Sequence, residues 1–104
     1  MSNFSKMVAG IRQMAGTPMA PQMIASARKF RAEDLGKTLS PQQLREIATA
    51  LRADAIEIEK FLDVEPVGPA RTLVVWTIWR MAAAAASVDP GLKIAESSLA
   101  AARD

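Results

Sequence analysis

The sequence predicts an all-α protein: a compact bundle of four to five helices with a central, largely buried fourth helix. Three observations carry that prediction. Apolar residues recur at helical spacing along nearly the whole chain. Every glycine and proline except Gly10 falls where a periodic stretch begins or ends. Alanine is abundant, 20 of 104 residues, while β-branched runs are short and no Asn-Gly or Asp-Gly hairpin signal occurs. Half the residues are apolar and 23% are charged, the composition of a folded globular chain. Aromatics are confined to Phe4, Phe30, Phe61, Trp76 and Trp79, which points to closely spaced helices rather than a thick aromatic core.

The first helix is expected from Asn3 to Ala15, where Phe4, Met7, Val8, Ile11 and Met14 share one face. Gly16 and Pro18 stop it. A second begins near Pro21, since proline lacks only an N–H that the first turn leaves unbonded anyway. It continues to about Leu35 with Met23, Ala27 and Phe30 on its apolar side, and Gly36 ends it. The third start is the clearest in the chain: Ser40 as cap, Pro41 at the first helical position and Gln43 three residues on, a capping box. Leu44, Ile47, Ala48, Leu51, Ala55, Ile58 and Leu62 then hold a single stripe, so one unbroken helix is predicted until "DVEPVGPA". The fourth, from about Pro69 to Ser87, is apolar almost all round, with only Thr77, Arg80, Ala84 and Ser87 as a thin outer stripe. Such a helix belongs in the middle of a bundle, with Trp76 and Trp79 as core anchors. "VDPG" resets the chain, and Leu92, Ala95, Leu99 and Ala102 mark a short closing helix. No repeat or linker divides residues 1–104, so one domain is expected, with residues 1–16 as a loosely packed contact helix.

Charge and methionine are unevenly distributed. Residues 1–32 hold five bases and no acid, whereas residues 33–104 hold 11 acids and eight bases, so the net +2 conceals +5 against −3. Five of the six methionines lie within the first 23 residues. A Cu(I) thioether site is one reading of them, but Met7 and Met14 share the face that Phe4, Val8 and Ile11 need for burial. Core filling is the ordinary reading of such residues; an adaptable apolar contact surface is the functional one, and it is the role expected of them here.

Catalysis finds few parts. With no His, Cys or Tyr, the commonest general base, the commonest transition-metal ligand and the thiol nucleophile are missing from the sequence. Neither a phosphate-binding glycine loop nor a nucleophile elbow occurs. Asp54, Glu57, Glu59 and Asp63 form an acidic patch continued by Glu65, but no Glu-x-x-His pair accompanies it. The expectation is therefore no enzyme, no cofactor and no metal.

Thr72–Val88 is too short and too alanine-rich for a membrane span and carries Arg80 mid-stretch. The cysteine-free sequence suits a cytoplasmic protein. The stretch "REIATALRADAIEIEKFL" loosely fits a DNA-binding helix-turn-helix, yet Arg52 would stand at the turn position that favours glycine. Glu57 and Glu59 would then face phosphate.

The function expected is a small regulator of inhibitor, adaptor or subunit type that binds another protein through its Met-rich basic end. Phe4, Lys6, Met7, Ile11, Arg12, Met14, Arg28, Lys29 and Arg31 are the candidate partner-binding residues. They suit an acidic-rimmed apolar groove, or a homodimer in which Asp54–Glu65 of one copy receives the basic segment of another. A nucleic-acid-associated regulator using residues 1–32 is the alternative, and a membrane-surface helical protein a third.

Overall fold

A computed structural model describes residues 2–103 of the chain. The described residues are helical with no strand. The elements are α1 (Asn3–Ala15), α2 (Ala20–Lys29), α3 (Ala32–Thr38), α4 (Pro41–Ala53), α5 (Ala55–Val64), α6 (Pro69–Ala85) and α7 (Glu96–Arg103). Two of the five anticipated helices are each divided in two, which gives seven.

The first division falls at Phe30 and Arg31, both extended, with ψ of 117° and 153°. The Asp34 carboxylate accepts the Arg31 N–H at 3.3 Å and so starts α3 one turn on. Arg80, fifty residues away on α6, donates to the carbonyls of Ala27 (2.7 Å) and Phe30 (3.2 Å). Those oxygens belong to the end of α2, where a helix leaves its acceptors unpaired. Gly36, expected as a terminator, lies inside α3.

The second division corrects the expectation of an unbroken third helix. Asp54, at φ −100° and ψ 8°, is the end of α4 and the start of α5. Its N–H still bonds Ala50 and its carbonyl still accepts from Ile58, so the chain bends without a loop. A helix-turn-helix needs a turn of about three to four residues; here the joint is one residue. The bend gives the two halves different neighbours. α4 packs on α6, whereas α5 packs on α1, α4 and α7, and Phe61 meets Phe4 edge-to-face with centroids 5.7 Å apart.

α6 is the axis, touching α1, α2, α3, α4 and α7. Its innermost side chains are Val74, Val75, Ile78 and Ala85, each at most 2% exposed. Trp76 and Trp79, expected as anchors, are only half-buried. Small and medium residues allow several helices to approach one axis closely, and the Trp79 ring packs against that cluster without being enclosed by it. Ala84, assigned to the outer stripe, is buried. After α6 the chain turns, the Leu92 N–H bonding the Asp89 carbonyl; Leu92 and Ile94 are buried from this irregular segment, and Ala95 turns left-handed at φ 45°. α7 therefore starts at Glu96 rather than Leu92, and Leu99 is buried from it. No helix among the described residues is long and apolar enough to cross a membrane.

Candidate functional site

α1 does not present one outward ridge. Phe4, Val8 and Ile11 are buried in the main core, and Met7 packs against it half-buried. Met14 alone of the proposed ridge is well exposed, at 47%. The helix is fastened at both ends to α5. The Glu57 carboxylate accepts from the hydroxyls of Ser2 (2.6 Å) and Ser5 (3.0 Å), bonds that hold its pKa below the ordinary glutamate value, Ser2 contributing most. Arg12 pairs with Glu65, which keeps the guanidinium pKa raised. Two carboxylates of the acidic stretch thus already serve the chain's own first helix. Asp54 sits half-buried at the α4–α5 joint, while Glu59 and Asp63 remain exposed.

The candidate bases divide likewise. Lys6 and Arg12 ride on α1, whereas Arg28, Lys29 and Arg31 cluster where α2 ends; all five are exposed, and Arg31 lies 3.4 Å from Glu33.

What α1, α2 and α6 do enclose is a groove of about 500 Å³. The turn between α1 and α2 sets its mouth. Thr17 donates its hydroxyl to the Met14 carbonyl (2.7 Å) and accepts the Met19 N–H (3.3 Å), so the two methionines stand on either side of the turn. Along α2, Met19, Met23, Ala27 and Phe30 recur at intervals of four, four and three and form one wall. Leu73, Thr77 and Arg80, on one face of α6, form the other. Met19 is 54% exposed and Phe30 44%. At the far end the Arg80 guanidinium lies 4.6 Å from the centre of the Phe30 ring, a cation–π contact. Partial burial lowers its pKa, but an arginine remains charged at any physiological pH.

Of the residues singled out from sequence, Ile11 and Met14 line this groove, and Arg28, Lys29 and Arg31 lie at the α2 end beside Phe30. Phe4 and Met7 do not line it. Met19, Met23, Phe30 and Arg80 were not among the proposed contact residues. The stripe of Met23, Ala27 and Phe30 was visible, but sequence alone gave it no reason to stay uncovered.

A second groove of about 450 Å³ between α1 and α5 has Arg12 and Glu65 in its lining. A smaller cleft of about 160 Å³ lies between Trp79, the alanines of α6 and Ile94. Among the described residues no three His, Cys, Asp or Glu side chains converge as a metal site would require. No protein-family model, curated protein or solved structure matches this chain.

Proposed function

We propose that this chain is a small non-catalytic binding protein of the inhibitor, adaptor or regulatory-subunit type, acting in the cytoplasm by docking another protein in the α1–α2–α6 groove. One observation carries the reading: Met14, Met19 and Phe30 are large, apolar, substantially exposed and arranged around a single depression. Scattered apolar side chains on a surface are ordinary, whereas a convergent patch marks a contact site. Methionine suits such a site, because its unbranched, polarisable side chain repacks against different shapes at little cost. The contact role thus moves from α1 as a whole to its last turn and to α2.

Affinity capture from a native lysate tests this, with the wild-type chain and a Met14→Glu/Met19→Glu variant as paired baits. The expected result is a partner retained by the wild type and lost from the variant, with both chains unfolding at the same temperature. Equal retention by both would remove the groove from the explanation. The nucleic-acid alternative would show instead as retardation of mixed-sequence DNA or RNA that weakens with salt.

A further inference from the structure

We infer that the occupant of the groove is an amphipathic helical segment of another protein, about three turns long, carrying carboxylates beside its apolar anchors; this rests on the docking reading above. The length follows from α2. Met19 and Phe30 are eleven residues apart, so the wall they bound runs for about 16 Å, the span of roughly eleven residues of a second helix. The apolar end is the mouth at Met14 and Met19, where anchor side chains of the occupant would enter. The polar end is at Phe30, where Arg28, Lys29, Arg31 and Arg80 outnumber Glu33 and Asp34.

Two carboxylates lie nearby, but both face Arg31: Glu33 pairs with its side chain and Asp34 accepts its N–H. Among the described residues, ion pairs engage Arg12, Arg31 and Arg52 but not Arg28, Lys29 or Arg80. Arg80 is the best placed of them. Two of its donors are committed to the Ala27 and Phe30 carbonyls and its plane is held near the Phe30 ring. A guanidinium has five N–H donors, so three remain on a group already fixed in place, the arrangement in which arginine binds carboxylate well. Arg28 and Lys29, exposed on the last turn of α2, add positive charge next to Phe30 in the chain. An occupant with acids at this end and aliphatic side chains at the other would match the groove along its length, while a basic helix would meet like charge.

The test uses the full chain and two synthetic, fluorescein-labelled helical peptides of roughly 14 residues. Both have Leu at i, i+4 and i+7; one carries Glu at the remaining exposed positions and the other Lys. Fluorescence anisotropy should show the Glu peptide binding at least about tenfold more tightly than the Lys peptide, with the preference shrinking as salt is raised to about 0.5 M. Arg28→Glu/Lys29→Glu should weaken the Glu peptide by about tenfold or more and strengthen the Lys peptide. Met14→Glu/Met19→Glu should abolish both, with unchanged helicity by circular dichroism. Equal affinity for the two peptides, or indifference to the α2 charge reversals, overturns the acidic occupant while the docking reading stands. Absence of peptide binding up to about 1 mM, with lysate capture still dependent on Met14 and Met19, overturns it in the same way; loss of that capture too brings down both readings. Sedimentation of the wild type as a dimer that Met14→Glu/Met19→Glu returns to monomer would make a second copy the occupant and overturn the proposal.

Discussion

Removing residues 1–15 should unfold this protein, although an N-terminal helix is often the most dispensable part of a small domain. The magnitude follows from three side chains. Phe4, Val8 and Ile11 are 6%, 5% and 8% exposed and sit in the central cluster with Phe61, Leu73 and Val74. Burial of each contributes about 1.5–3 kcal/mol, so the helix supplies about 5–9 kcal/mol, an upper figure because the unfolded chain already buries part of that surface. A domain of this size has only about 5–15 kcal/mol in total. The deletion also strips the partners of Glu57 and Glu65 from α5 and bares Phe61. Circular dichroism at 222 nm on heating decides the matter: the full chain should melt cooperatively, and residues 16–104 should give a shallow, non-cooperative loss of signal. Two point variants on the same helix sharpen the contrast. Phe4→Ala should cost about 3–5 kcal/mol, whereas Met14→Ala, on the groove side, should stay within about 0.5 kcal/mol of the parent. A cooperative transition for residues 16–104 within a few degrees of the full chain would refute the assignment of α1 to the core.

Hydrogen exchange should show a break in protection at Ala55, Ile56 and Glu57, because the first turn of α5 lacks intrahelical acceptors for its N–H groups; protection as strong there as at Leu51 and Leu62 would contradict the Asp54 bend. Glu57, with its pKa lowered by the Ser2 and Ser5 hydroxyls, contributes stability that is present above the ordinary glutamate pKa and is lost as pH falls through the lowered value. Glu57→Gln should therefore destabilise at neutral pH and converge with the wild type in acid, where the carboxyl is itself neutral; a difference that persists unchanged in acid would assign the effect to something other than the carboxylate charge. Ile78→Ala should cost about 2–5 kcal/mol and Trp76→Ala less, and iodide should quench a measurable part of the indole emission; the reverse ranking in denaturant melts would restore the tryptophans as anchors. Under mild peroxide, peptide mapping should find Met14 and Met19 converted to sulfoxide before Met7, Met23 and Met81, with helicity retained; faster oxidation of Met7 would mean that α1 is not docked as described.

Where local chemistry decides an element, the sequence was legible. Ser40, Pro41 and Gln43 start α4 where the capping box places it, with Ser40 Oγ accepting the Gln43 N–H at 3.1 Å and Gln43 returning the bond at 2.8 Å. The bounds of α1 and the start of α6 at Pro69 are likewise those the local residues indicate. What stayed hidden depends on distant partners. The bend at Asp54 carries neither Gly nor Pro, and the apolar period continues through it from Leu51 to Ile58, so the pattern on either side reads as one helix. The end of α2 is fixed by Arg80, a partner no local window includes. Burial within α1 was half-legible: the shared face of Phe4, Val8 and Ile11 was plain, but whether that face met the chain's own α6 or another molecule depended on α6 having room for it. The groove was the least legible feature, since periodicity shows that Met19, Met23 and Phe30 lie together and not whether a neighbouring helix covers them.

The position of α6 has a consequence for how the chain is made. Four of the five helices that precede it rest chiefly on it, yet it is not finished until Ala85 has been synthesised. At about 5–20 residues per second, a ribosome needs roughly 4–14 s to travel from the end of α1 to that point. Throughout that interval Phe4, Val8, Ile11, Leu44 and Leu51 have no axis to close upon, and the nascent chain holds its apolar faces open. Folding should then occur late and nearly all at once, as the last quarter of the sequence emerges. A premature stop before residue 69 would leave not a smaller domain but a string of amphipathic helices, fit for chaperones and proteases rather than for docking.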